Sequence, residues 1–225
     1  AHRMQMVLAD GKHFRAGAAR LRRVAYFFLD DATRRGLHVV VTPSESAEPF
    51  LRALYEVLRD HGRMGVLYLD HGQGFVARAV AEVCRRLEIA LVLGERGYPE
   101  GHGKIERFNR TALAAVLRAL DGRPDVDPAL PALELRLSHW LRQIYDHQPH
   151  GGLRAPPREG LPSSGAPFST PWERWSTDPR TLDHVEGDVL REAFVLWHER
   201  RVSRDRIVSL EGTAYELPLE FAAGG

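Results

Sequence analysis

The chain has 225 residues, 44% hydrophobic and 27% charged, enough for one substantial core and a small second module. Its net charge of +1 gives no bulk signal for nucleic-acid binding, so any basic surface must come from local clustering. The lone cysteine, Cys84, excludes an intrachain disulfide and fits a reducing, cytoplasmic location. Its setting among Val80, Val83 and Leu87 reads as a buried helical face. The histidines show no zinc-ligand grouping. No run approaches the roughly 18 apolar residues that span a bilayer, so no membrane partner is expected. The start lacks a signal-peptide pattern and leads almost directly into the first strand, as in a piece of a longer protein.

In chain order, Met4–Ala9 predicts a strand ending at the Asp10-Gly11 turn signal. Val24–Leu29 predicts a strand buried on both faces and Leu37–Val41 a third. With no helix-length segment between them, these three pair antiparallel. Glu45–His61 carries a helical stripe at Phe50, Leu51, Leu54, Val57 and Leu58. Val66–Leu69 is a strand ending in Asp70, Phe75–Leu87 a helix, and Ile89–Leu93 a short strand. Residues 94–103 hold four glycines and a proline and predict a mobile loop. A long helix follows over 102–120, an Asp/Pro-rich break over 121–131, and a helix over 133–145.

The expected fold class is α/β, a mixed sheet with flanking helices over residues 1–149. Residues 150–182 read as a Gly/Pro/Ser-rich linker, with Trp172 and Trp175 as docking anchors. Residues 183–225 read as a small all-β module. Its β-like stretches are Arg191–Val202, Arg206–Leu210 and Thr213–Leu217, and Glu211-Gly212 makes a hairpin turn.

Chemistry concentrates in three carboxylates. Asp10 and Asp70 each follow an apolar strand, and Glu106 lies in the first turns of a helix, 36 positions after Asp70. Acids from two strand ends and one helix make an oxygen-rich site for a hard divalent cation, as phosphoryl transfer needs. The rival pair Asp30-Asp31 reads as structural, capping a turn with Thr33 and Arg34. Glu95 and Glu100 fall in the loop, a less rigid platform than the helix that carries Glu106.

The words around these acids resemble the DDE-type transposases of bacterial insertion sequences, which share a ribonuclease-H-like core with retroviral integrases and phage Mu transposase. Leu69-Asp70-His71-Gly72 resembles the family's Asp-Asn-Gly segment, with His71 in place of asparagine. Tyr98 to Thr111 is similar to the stretch bearing its glutamate. Phe28 to Arg34 resembles the second-strand segment, and Tyr145 to Leu153 the segment after the catalytic core. Residues Arg201 to Pro218 resemble the C-terminal β-barrel of Mu-type elements.

The resemblance implies Asp10, Asp70 and Glu106 as catalytic ligands of two magnesium or manganese ions. One ion would activate water to cut the element's end, and the freed 3′-hydroxyl would attack target DNA in line. The implied partners are DNA, both transposon ends and target, and further copies of the chain. The helix-turn-helix segment that reads the element's ends in such proteins is not found in the sequence, so weak sequence recognition is expected.

Two basic clusters are candidate DNA contacts: Lys104, Arg107 and Arg110 beside Glu106, and Arg200, Arg201 and Arg204 on the tail. A solvated, salt-bridged surface is the alternative for both. The four tryptophans read as packing residues. Two other functions stay open: a non-catalytic DNA-binding or assembly protein derived from such an enzyme, and a ribonuclease-H-like nuclease that cuts without joining.

Overall fold

The structure is a computed structural model and describes residues 1–69, 74–94, 99–153, 169–195, 202–210 and 212–218. The chain divides into two units, Ala1–Phe194 and Val195–Gly225.

The first unit is built on a five-stranded sheet among the described residues. Strands β1 (Met6–Ala16), β2 (Leu21–Asp30) and β3 (Gly36–Thr42) form an antiparallel meander. Their connections are short enough for hairpins, and Gly17 and Arg20 take left-handed backbone in the first. Strands β4 (Val66–Leu69) and β5 (Ala90–Leu93) pair in parallel beyond β1, giving the order β3-β2-β1-β4-β5. Helix α1 (Ala47–His61) leads into β4, and α2 (Gly74–Arg86) makes the crossover that parallel β4 and β5 require. This is the mixed sheet expected from the sequence.

Side-chain alternation along the strands separates two cores. Val7, Ala9, Tyr26, Phe28 and Val40 pack with α1 and α2 on one face, where Val80, Val83 and Cys84 are buried. Leu8, Phe14, Phe27, Leu29 and Val39 pack on the other, against α3 (Pro99–Ala112) and α4 (Leu130–His139). Helix α3 continues through a π-helical turn, Leu113–Leu117, and a short 3-10 turn to Leu120. After α4 the chain likewise passes through Trp140–Ile144 and Tyr145–His147. Gly36 allows the closest approach here. A Cβ on it would lie 2.2 Å from Leu141 Cδ1.

Several elements differ from the sequence reading. The first strand does not stop at Asp10-Gly11. It pairs with β2 out to Ala16↔Leu21, because Phe14 and Ala16 keep the alternation and are buried. Residues 99–103, read as loop, are helical. Their glycines are tolerated behind Pro99, whose fixed φ suits a helix start. Helix α4 begins three residues early, with Pro131 in its first turn.

Within the segment read as linker, α5 (Pro171–Ser176) is closed by a capping box. Thr170 Oγ1 accepts from the Glu173 N–H at 3.1 Å and Glu173 Oε2 from the Thr170 N–H at 3.0 Å. Its Trp175 is buried in the α1-side core. Arg191 to Ala193, read as β-like, close helix α6 (Gly187–Ala193), which buries Leu190 and Ala193 in the same core.

In the second unit, β6 (Ile207–Leu210) and β7 (Thr213–Glu216) pair antiparallel from Ile207↔Glu216 to Leu210↔Thr213. Gly212 supplies the left-handed φ of the turn; Glu211 lies outside the described residues. The barrel expected here is, among the described residues, this two-stranded hairpin.

Candidate active site

Asp10 sits within β1, not at its end, at a point set by two registers. The parallel ladder with β4 runs from Met6↔Val66 to Ala9↔Leu69, and Asp10 is the next residue of β1. On its other edge Asp10 pairs with Phe27 of β2. Alternation puts it on the face of Leu8 and Phe14, toward α3.

There Asn109 of α3 meets it. Its Nδ2 donates to Asp10 Oδ2 at 2.6 Å, and the Gly11 N–H donates to Asp10 Oδ1 at 2.8 Å. One carboxylate oxygen is thus oriented by the helix and the other by the strand's own backbone. Asn109 is buried, and its Oδ1 has no hydrogen-bond partner. Helix α3 is held against the sheet by Ile105, Phe108 and Ala112. The Phe108 ring lies edge-on to Phe27 at 5.1 Å and to Tyr145 at 5.0 Å.

Glu106 precedes Asn109 by three residues, so it shares the same side of the helix. Its side chain is exposed and makes no hydrogen bond or ion pair with a described residue. Asp70 and His71 lie outside the described residues, as does Glu95. Among the described residues no three His, Cys, Asp or Glu side chains converge on a common point. The structure therefore brings α3 to Asp10 through Asn109, with Glu106 one turn earlier on the helix. The donors in view are carboxylate and amide oxygens, a set that fits magnesium or manganese better than zinc.

The rival acids have other work. Asp30 is fully buried and accepts from the Met4 N–H at 2.8 Å, the Thr33 N–H at 2.8 Å and the Thr33 hydroxyl at 2.6 Å. Burial raises its pKa against those hydrogen bonds. It is a turn cap, as the sequence suggested. Asp31 pairs with Arg34 at 3.3 Å and with Lys104 Nζ at 2.7 Å.

The basic candidates divide accordingly. Lys104 is ion-paired, whereas Arg107 and Arg110 are exposed and form no ion pair among the described residues; Glu106 and Arg110 do not bridge. Arg204 is exposed in the second unit, where Arg206 pairs with Glu216 at 3.0 Å. Arg200 and Arg201 lie outside the described residues. Trp140 and Trp175 are packing residues, as expected. Trp172 is half-exposed, with the Arg35 guanidinium over its ring at 4.8 Å; Trp197 is not described.

No family model matches the chain. A transposase for transposon Tn552 from Staphylococcus aureus is 30% identical over 131 residues, 53% of this chain. The chain spans about a quarter of that relative's length (24%). The catalytic core domain of HTLV-2 integrase, solved with magnesium in a dimeric form, superposes with a TM-score of 0.53 at 14% identity, covering 77% of this chain and 97% of that one. A chain of a simian T-cell lymphotropic virus intasome, solved with a PP2A regulatory subunit, gives 0.56 at 14% identity, covering 81% and 58%.

The chain shares the fold of retroviral integrase catalytic cores and, over about half its length, is similar in sequence to the Tn552 transposase. The fold class expected from the order of elements stands, as does the resemblance to transposase and integrase cores; of the expected barrel, the described residues show a hairpin.

Asn109 falls within the Tyr98 to Thr111 motif, and the sequence alone assigned it no role. The signal was present: an amide one helical turn after the proposed ligand, on the same face. Nor did the sequence mark His150 and Arg34 as neighbours of Lys104 and Arg107, since only the packing of Tyr145 to Leu153 brings these segments together.

Proposed function

We propose that the chain is the catalytic core of a DNA transposase, cutting element ends and joining them to target DNA by in-line phosphoryl transfer. The observation that carries this reading is the Asn109–Asp10 hydrogen bond, which sets the Glu106 side of α3 against the strand bearing Asp10. The relationship to the Tn552 transposase supports joining over simple hydrolysis.

In this reading Asp10, Asp70 and Glu106 hold two magnesium ions. Bound there, magnesium supplies charge neutralisation at the reacting phosphate and a lowered pKa for the attacking water. The chain's own contribution is placement. The sheet fixes Asp10, Asn109 holds its carboxylate in one rotamer, and α3 presents Glu106 from a rigid platform. Asp70, the residue after β4, completes the set. Arg107 and Arg110, and Arg204 of the second unit, hold backbone phosphates. DNA and further copies of the chain are the partners, acting in the cytoplasm; no helix among the described residues is long and apolar enough to cross a membrane.

The test is a product assay with magnesium, on a duplex ending in the element's terminal sequence and a supercoiled target. Joined products that disappear in Asp10→Asn support transposition. Cut but never joined strands would favour a nuclease, and binding without either product a non-catalytic DNA-binding protein.

A further inference from the structure

A cavity of about 220 Å³ opens beside the first turns of α3. Leu29 and Tyr145 line it, and four basic side chains converge on it: Arg34, Lys104, Arg107 and His150. They come from three separate segments: the β2–β3 turn, α3, and the chain after Tyr145–His147. The nearby carboxylate in view is Asp31, which pairs with Arg34 and Lys104. Among the described residues, three permanent cations of the lining thus share the single paired carboxylate of Asp31, an excess relieved by an anionic ligand.

The donors are partly prearranged. The Arg34 side chain is only 15% exposed, so its guanidinium is held by the fold. His150 Nδ1 accepts from the Gly152 N–H at 3.0 Å, which leaves Nε2 as the protonated nitrogen, a donor even in the neutral ring. Burial, and then the Arg34 and Arg107 charges, depress the imidazolium form. Arg34 and Arg107 line the same cavity as His150. Among the described residues, a Cβ at Gly103 would meet nothing within 4 Å.

Position along the sheet gives the ligand. Leu29 pairs with Leu8, and Phe27 pairs with Asp10. Leu29, one wall of the pocket, thus lies one two-residue step, roughly 7 Å, along β2 from the residue that pairs with Asp10. A strand whose reacting phosphate lay at Asp10 and Glu106 would bring a flanking phosphate within reach of this pocket.

We infer that the Arg34–Lys104–Arg107–His150 pocket binds a single backbone phosphate of the DNA strand, next to the one that reacts. This rests on the DNA reading of the core and adds to it a defined phosphate subsite built from three chain segments.

The test is fluorescence anisotropy of the full chain with a labelled DNA duplex over a range of salt concentrations. Arg107→Gln and Arg34→Gln should each weaken binding and flatten the salt dependence by up to about one unit of slope. The double variant should lose about one unit and not about two, because both side chains hold the same phosphate. Arg59→Gln, on α1 across the sheet, should match wild type.

Arg107 is an exposed helix position, so its substitution tests the pocket even if Arg34→Gln unfolds. Wild-type slope in Arg107→Gln, or two units lost in the double variant, overturns the pocket while leaving DNA binding intact. Absence of any salt-dependent duplex binding by wild type overturns both readings. If inorganic phosphate stabilises wild type but not Arg107→Gln against heat, and the DNA slopes do not differ, the pocket belongs to free phosphate and the DNA assignment fails.

Discussion

The Asn109 side chain, carried on α3, donates to Asp10 Oδ2 at 2.6 Å, joining the helix that bears Glu106 to the strand between β2 and β4. Asn109 is a positioning residue in this account. Asn109→Ala should raise the magnesium concentration needed for half-maximal strand transfer by about 10- to 100-fold, the usual scale for a partner that orients a ligand. The fold should be little affected, since the amide makes one good bond and leaves Oδ1 buried without a partner. Metal titration of the activity, with thermal unfolding as control, checks this. Recovery in Asn109→Ser, which keeps a short donor, is expected.

Gly36→Ala should destabilise the protein by about 1–3 kcal/mol, the scale of overpacking. The new methyl would fall 2.2 Å from Leu141 Cδ1, where β3 begins beneath the turns that follow α4. Urea unfolding measures it. Pairing Gly36→Ala with Leu141→Ala should recover part of the loss.

Arg35 lies over both Trp172 and Trp175, with centroid distances of 4.8 and 4.7 Å. It also donates through Nε to Asp146 Oδ2 at 3.2 Å. Burial pushes the Asp146 carboxyl up to about 6 even with this partner, so the ionised carboxylate depends on the guanidinium. Arg35→Ala should cost about 3–5 kcal/mol, the penalty for leaving a buried charge unpaired. The loss should shrink as pH falls below 6 and Asp146 takes a proton. Unfolding free energies at two pH values test both statements.

His61 stacks edge-on to Trp175 at 5.4 Å, and burial together with the Arg35 charge pushes its imidazole down to about 4. A histidine with a depressed native pKa binds its proton more readily when unfolded. Its contribution is therefore complete above pH 6.5 and is lost as pH falls from 6.5 to 4, by at most about 3 kcal/mol. His61→Gln should flatten the stability profile in that window. NMR titration of the ring should place its midpoint well below that of an exposed histidine.

Most of the first unit was legible from apolar periodicity alone. Val24 to Leu29 are uniformly apolar and form a strand buried on both faces, and the stripe from Phe50 to Leu58 marks α1. What failed was local punctuation. Asp10-Gly11 looks like a turn, but Phe14 and Ala16 carry β1 past it, because tertiary pairing outweighs a two-residue signal. The glycines of 99–103 suggested a loop, yet Pro99 starts a helix that packing at Ile105 and Phe108 stabilises. The segment around Trp175 looked like linker because α5 is six residues long, too short for periodicity, and is held by its cap and one buried indole. At the site, the acids were legible as residue types in order. The Asn109 contact and the pocket around His150 were not, because each joins segments about a hundred residues apart in sequence or brought together only by packing.

The most direct measurement is manganese binding to the intact chain, followed by electron paramagnetic resonance of the free ion, in wild type, Asp10→Asn and Glu106→Gln. The account predicts saturable binding by wild type at millimolar manganese or below, and marked weakening in each variant with unchanged thermal unfolding. Wild type that binds no manganese in that range, or variants that bind as well as wild type, would contradict it.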